Sequence, residues 1–346
     1  MTTLTDRPVG VTAGVDTHAD TNVVAVLDAQ GRRLGIESFP ATSEGHRLLE
    51  EWALGFGPIE AVGIEGTGAW GAGLARHLSG QGHRVVEVDR PNRQVRYRHG
   101  KSDPIDAEAA ARAVQAGTAT GVPKDRTGLV ESIRALRVAR RSAVKDRREA
   151  IQQLRSLTST APDALRERLR HLSATQLVTT CIAFEPVDLT NPLEATEFAM
   201  CSIAHRHRHL SDEIAALDTQ LELLVRAAAP PSLLARRGVG IDTAGQLLVT
   251  AGDNSHRLRS AAAFAHLCGT APIPIASGRT STYRLNRGGD RQANAALHRI
   301  VICRLRWDPT TRAYLERRMK EGKTKKGAIR CLKNYIAREI YYDLQR

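Results

Sequence analysis

Through the first 120 residues the apolar positions fall in short, β-branched runs separated by turn residues. GVTAGVDTH (10–18), NVVAVLD (22–28) and RLGIESF (33–39) each read as a strand, and AQG between the second and third is a hairpin signal. In SEGHRLLEEWALGF the apolar spacing changes to three and four residues, which predicts a helix that Ser43 can cap. AVGIEGT (61–67) predicts a further strand, GAWGAGLARHLSGQG a helix closed by glycine, and HRVVEVD (83–89) a strand. After a basic loop, DPIDAEAAARAVQAG predicts an alanine-rich helix ending at Gly117. An antiparallel meander followed by helix–strand–helix–strand–helix is the order that the RNase H fold uses. Residues 1–122 are therefore expected to form an α/β domain of that type.

The pattern then turns helical. Residues 128–160 and 205–228 are charged, leucine-studded and almost free of glycine and proline, with apolar residues at three- and four-residue spacing. Residues 161–200 are less regular. The stretch 123–230 is expected to be a helical, coiled-coil arm. From Leu233 the character changes again: RRGVGIDTAGQLLVTAGD sets Gly238 and Gly240 in a tight turn before an apolar helix. That is a helix-hairpin-helix pattern, whose backbone N–H groups suit a phosphate. Residues 268–291 are rich in Gly, Pro and Ser and read as an irregular loop, and Thr324 to Leu344 has the spacing of a packed helix with a basic start. The third expected domain, 231–346, is thus mostly helical, and the fold class is α/β plus α.

Charge sharpens the picture. Fifty Lys and Arg against 37 Asp and Glu give +13, and residues 279–346 hold 18 basic and 6 acidic residues, so this stretch alone carries +12. A concentrated positive surface attracts a polyanion, usually nucleic acid; the competing reading is a solvated basic face. Five scattered cysteines without a CxxC pair argue against a disulfide framework and a structural zinc site. No apolar run long enough for a leader or a membrane span is present, so the expected location is the reducing cytoplasm. The run His205-Arg206-His207-Arg208-His209 puts neighbouring histidines on different helix faces and reads as basic surface. Trp70 and Trp307 read as core residues.

Four acidic residues stand where an RNase H-like sheet would gather them. Asp16 lies in the first strand and Glu65 at the end of a later one, while Asp103 and Asp106 share a helix face by their spacing of three. Carboxylates packed that closely repel, so the cluster makes sense with divalent cations, and hard oxygen donors suit Mg²⁺ or Mn²⁺. Each acid taken singly also reads as a cap or surface charge, Asp103 before Pro104 especially. Asp20, Asp89 and Glu108 are lower-ranked neighbours. In the 268–291 loop, Ser277 stands between Ala276 and Gly278 with Arg279, Arg284, Arg287 and Arg291 around it. A hydroxyl nucleophile needs a base, a metal or stabilisation of developing charge, which arginines supply at a phosphate. The residues alone slightly favour the plainer alternative, a flexible basic loop on backbone phosphates in which Ser277 is one more hydrogen-bond donor.

Asp16 in GVDTHAD, Glu65 in IEGTGAWG, the KSDPIDAEAAARA helix, the RGVGIDTAG turn and GTAPIPIASGRT followed by RLNRGGDRQANAALHRI together resemble the DEDD transposases of the insertion-sequence "one-ten" group, described as bridge-RNA-guided recombinases. The likeness spans nearly the whole chain and is weakest at about 120–230. It implies a Holliday-junction-resolvase-like first domain, a coiled-coil region and a C-terminal transposase domain. It further implies Mg²⁺ on Asp16, Glu65, Asp103 and Asp106, and a covalent phosphoserine in the C-terminal loop. Family members often carry SSG there; this chain has Ala276-Ser277-Gly278, which points to Ser277, with Ser281 second. The resemblance also implies a dimer or tetramer in which the serine loop completes a partner's carboxylate site, DNA element ends and target as substrates, a noncoding guide RNA, and a bacterial, nucleoid-associated setting. Three rival functions stay in view: a junction resolvase hydrolysing DNA with water, a non-catalytic nucleic-acid scaffold, and an actin-like or sugar-kinase-like ATPase. The last lacks the second Gly-rich lobe that its fold requires.

Overall fold

The computed structural model describes residues 10–88 and 102–346, so Asp89 and the basic loop after it lie outside the described residues. Two compact units are present: the described residues up to Thr127 together with Gly252–Arg259, and Gly128–Ala251 with Ser260–Arg346. The first is a mixed α/β unit and the second is mostly helical.

Five strands of the first unit, β1 (Val11–Thr17), β2 (Thr21–Leu27), β3 (Arg33–Pro40), β4 (Ile59–Glu65) and β5 (Val85–Val88), form one sheet in the order β3-β2-β1-β4-β5. β1 pairs antiparallel with β2 and parallel with β4, so the sheet has an antiparallel half and a parallel half. β1 is buried along its whole length, as expected of a central strand covered on both faces. Alternation divides its side chains. Val11, Ala13 and Val15 pack with Val24, Val26, Val62 and Ile64 against α1 (Ser43–Leu54) and α2 (Ala72–Gly80). Thr42 caps α1 by accepting from the Gly45 amide at 3.1 Å, one residue before the Ser43 expected in that role. Glu50 of α1 lies 2.7 Å from the Nε2 of both His77 and His83, tying α1 to α2 and the turn after it.

The opposite face carries α3 (Asp103–Gln115), whose Ala107, Ala110 and Val114 pack on Ala25, Ala61 and Val86. This helix sits almost on the sheet because Gly14 and Gly63, paired in register on β1 and β4, offer no side chain to hold it off. A Cβ at Gly14 would run into the Ala111 amide nitrogen and the Ala107 carbonyl; at Gly63 it would lie 2.8 Å from the Ala110 carbonyl oxygen. Since both clashes are with backbone, Gly14→Ala is expected to cost about 1–3 kcal/mol, read as a lower urea midpoint at unchanged slope. The segment Gly252–Arg259 belongs to this unit through Asn254, whose Nδ2 donates to the Pro123 carbonyl (2.9 Å) and to Asp125 (2.7 Å).

In the second unit, α4 (Leu129–Thr160) and α7 (Pro192–Ala228) lie antiparallel: Arg140 pairs with Asp218, and Arg206 with Gln153. Within residues 161–200, expected to be less regular, lie two short helices, α5 (Asp163–Leu169) and α6 (Ala174–Ile182). Their Leu165, Leu169 and Leu177 close a core with Leu154, Met200 and Ala204. α8 (Pro231–Leu234), α9 (Ile241–Ala251) and α10 (Ala261–Leu267) follow. Next comes a hairpin of β6 (Ile273–Ser277) and β7 (Thr280–Arg284), then α11 (Arg291–Trp307), α12 (Pro309–Lys320) and α13 (Lys325–Leu344). The hairpin corrects the expectation of an irregular loop. Its glycine sits in the turn, Gly278 taking φ +55°, and its proline lies in a two-stranded ribbon, where sheet edges tolerate it. No helix among the described residues is long and apolar enough to cross a membrane.

Candidate functional site

The packing of α3 on β1 decides what happens to the acidic residues. Gly14 faces α3, so period-two alternation turns Asp16 to the same side, and the residue is 8% exposed. Val15 is in register with Ile64 across the parallel pair, so Asp16 and Glu65 follow each other at the carboxyl ends of neighbouring strands. The Thr17 hydroxyl donates to the Glu65 carbonyl at 2.8 Å and holds the strand ends together, and Gly66, at φ +78°, turns the chain away. α3 begins at this same end of the sheet. Ser102 is its N-cap residue, not Asp103, and its carbonyl accepts from the Ile105 and Asp106 amides at 3.0 and 3.1 Å. Asp103 and Asp106 therefore occupy the first turn, where the helix dipole favours negative charge. Asp106 is 4% exposed.

A residue absent from the expected set joins them. Nε2 of His18 lies 3.2 Å from Asp16 Oδ2 and 3.3 Å from Asp103 Oδ1. One ligand atom from each of Asp16, His18 and Asp103 falls within 4.8 Å of the others, the one such group of three among the described residues. The signal was a spacing of two after Asp16, which puts both side chains on one side of an extended chain. Burial, above all, pushes the Asp16 carboxyl above the usual range; His18 pulls it down, while Asp106 and Asp103 raise it further. Asp106 is thus close enough for its charge to be felt at Asp16. A divalent cation would relieve this repulsion, so the donor set fits one. The other acids serve differently. Glu108 is held by Arg33 (3.0 Å) and Arg112 (2.6 Å), and Asp20 is exposed beyond the end of β1.

In the second unit, Ser277 ends β6, exposed, paired across the turn with Thr280; Arg279 stands in the turn itself. Arg284, Arg287 and Arg291 come together along one cleft. Gly238 takes φ +83°, a left-handed conformation that favours glycine, and packs on α11, where a Cβ would lie 3.1 Å from the Ile300 carbonyl oxygen. The Gly240 amide donates to the Thr243 hydroxyl at 3.0 Å, which engages one N–H of the turn internally. Both tryptophans contradict their assignment to the core: Trp70 is 63% exposed and Trp307 65%, the latter beneath the Arg306 guanidinium, 5.3 Å from the ring centre. Each lies at a helix boundary, where apolar spacing no longer decides burial.

Comparison with known proteins agrees with this layout. Residues 13–162 match a family model described as transposase, and residues 232–316 match one described as transposase of the IS116/IS110/IS902 family. The "Insertion element IS110 uncharacterized 43.6 kDa protein" of Streptomyces coelicolor is 34% identical over 131 residues, 37% of this chain and 32% of that protein. The "Insertion element IS900 uncharacterized 42 kDa protein" of Mycobacterium paratuberculosis is 30% identical over 132 residues, 36% of this chain and 33% of that protein. The aligned part spans about a third of each relative's length. With residues 13–162, which carry the acidic cluster, and residues 232–316, which carry Ser277, each matched by a transposase model, the chain belongs to the IS116/IS110/IS902 family of transposases.

Proposed function

We propose that this chain is a DNA transposase that excises and inserts a mobile element by divalent-metal-assisted strand cleavage through a covalent phosphoserine at Ser277. The observation that carries the reading is the meeting of Asp16, Asp103 and Asp106 where β1 ends beneath α3, with Asp16 resisting ionisation because of its burial and these neighbours. The sheet order, half antiparallel and half parallel, supports an RNase H-like first domain. The antiparallel pair of long helices supports a coiled-coil arm, and the turn at Gly238 and Gly240 supports a helix-hairpin-helix. Guidance by a noncoding RNA and assembly into a dimer or tetramer rest on the family resemblance.

Asp16, Glu65, Asp103 and Asp106 would hold Mg²⁺ or Mn²⁺, and His18 would keep Asp16 and Asp103 together. The bound ion would neutralise the carboxylates and polarise a phosphodiester, favouring attack by one oxygen and departure of another. In the cleavage step the Ser277 Oγ forms a bond to phosphorus and the bond from phosphorus to the 3′ oxygen breaks. The serine proton passes to solvent and the 3′ oxygen leaves as a hydroxyl. The reverse step on another strand restores a phosphodiester and frees the serine, so no ATP is consumed. Arg279, on the turn beside Ser277, suits the charge that develops on the phosphoryl oxygens.

The test incubates the purified chain, with the nucleic acid that accompanies it, with element-end DNA in Mg²⁺ and in EDTA. Cleaved and rejoined strands in Mg²⁺ and their absence in EDTA are the expected result. Cleavage without any protein–DNA adduct would replace this reading by a water-using junction nuclease. Binding without cleavage in either Mg²⁺ or Mn²⁺ would replace it by a non-catalytic scaffold.

A further inference from the structure

Between the β6–β7 hairpin and α13 lies a cleft of about 640 Å³. Six cations line it: Arg284, Arg287, Arg291, Lys323, Arg330 and Lys333. No carboxylate lines it, and among the described residues none of the six has an acidic partner within 4 Å. So many like charges facing one recess repel, and the arrangement becomes favourable when a polyanion enters.

The walls are also built to hold their positions. Asn294 spends both donors on the chain, bonding the carbonyls of Cys268 (3.1 Å) and Gly269 (2.9 Å). This leaves its Oδ1 to accept from Lys333 Nζ at 2.6 Å. Lys333 is half-buried, and burial first, then Arg330, lowers its pKa, so its charge is partly stripped of water and aimed before a ligand arrives. On the hairpin side, the Asn286 Nδ2 donates to the His266 carbonyl at 2.8 Å and the Asp290 amide to the Leu267 carbonyl at 2.7 Å, pinning the loop that carries Arg287 to the end of α10.

Two aromatic rings flank the cations. Tyr283, on the cleft wall, is 68% exposed. Around α13, a smaller recess shares Arg330 and adds Arg338 and Tyr335, the last 55% exposed and braced edge-on by Tyr314. Exposed rings spaced among cations are the makings of a single-strand track, since every unpaired base can stack while its phosphates are neutralised. The cleft lies within the range of small-ligand sites, about 300–1,000 Å³, and is far too small to admit a duplex.

We propose that this cleft binds an unpaired stretch of nucleic acid, its backbone phosphates among Arg330, Lys333 and the hairpin arginines and a base against Tyr283. The inference deepens the functional reading above, which leaves the strandedness of the bound nucleic acid open, and rests on its nucleic-acid component. The strand is DNA or RNA, whose phosphates present the same chemistry to the cleft.

Fluorescence anisotropy of the full chain in EDTA tests it, with labelled oligothymidylate and oligouridylate of about twelve nucleotides and a duplex of matched length. Arg330→Gln with Lys333→Gln is expected to weaken single-strand binding at least about tenfold and to flatten its salt dependence by roughly 0.7 per lost contact. Tyr283→Ala should weaken it about tenfold with the salt slope unchanged, while duplex affinity moves less than about twofold for every variant. Because Lys333 is half-buried, Lys323→Gln with Arg330→Gln, at two exposed sites, repeats the charge test without disturbing packing. A stronger effect on one oligomer identifies the strand as DNA or RNA. Unchanged single-strand binding in all variants, or equal losses for duplex and single strand, overturns the cleft while leaving the cleavage reading intact. Failure of the unaltered chain to bind any nucleic acid overturns both.

Discussion

Asp16→Asn is expected to reduce Mg²⁺-dependent strand cleavage by at least about a hundredfold, since loss of groups supporting a metal ligand already costs about 10–100-fold. The same change should make the metal-free protein more stable at neutral pH. Asp16 is raised above its ordinary 3.8 by burial and by its acidic neighbours, so the folded state binds its proton more tightly than the unfolded chain does. By linkage, this residue's contribution to stability falls as pH rises from the ordinary carboxylate value through the raised one, and stays unfavourable above it. Asparagine keeps the shape and removes the charge. Thermal melts in EDTA near pH 7 should therefore show a higher Tm for the variant, and added Mn²⁺ should raise the Tm of the original chain alone. A lower Tm for the variant in EDTA would show that the carboxylate is held for structural reasons, and the cation reading of the cluster would fall. Asp106→Asn, also buried, should lose cleavage similarly; Glu108→Gln should not, since its partners are Arg33 and Arg112.

Ser277→Ala is expected to abolish the covalent protein–DNA adduct on denaturing gels, leaving DNA binding within about twofold of the original. The position is exposed at the end of a hairpin strand that already carries Ala276, so the stability change should stay within about 0.5 kcal/mol. Loss of the adduct would then reflect lost chemistry and not lost fold. Ser281→Ala is the matched control: Ser281 stands opposite Ala276 on the other strand of the same ribbon, and its variant should form the adduct at the original rate. Phosphate mapped to a peptide lacking Ser277, or an undiminished adduct in Ser277→Ala, would reassign the nucleophile.

Much of the first unit was legible locally. The runs around Val11–Thr17, Thr21–Leu27 and Arg33–Pro40 are short, β-branched and bounded by turn residues, and α1 and α3 show helical spacing, so the antiparallel start and its helices are legible directly. The four acids stand out in the sequence by where they fall in that order. His18 carries no such signal in the sequence, because a histidine two residues from an aspartate gains a role only when the Asp103 end of α3 arrives beside both. The Gly and Pro content of residues 268–291 points to an irregular loop, but their placement, one in the turn and one in a two-stranded ribbon, is what allows the hairpin to pair. The two tryptophans misled similarly, since residue type favours burial but the packing of neighbouring elements decides it.

By itself, the chain's pattern determined the strands and helices of the first unit and their order, the long helical stretches after it, the concentration of positive charge in the last 68 residues and the positions of the acids, because periodicity and charge are local and need no partner. Tertiary structure alone decided how near those acids come to one another and which cations share a cleft. Both depend on contacts between residues far apart in sequence: the paired Gly14 and Gly63 that let α3 settle onto the sheet, and the Asn294 that aims Lys333.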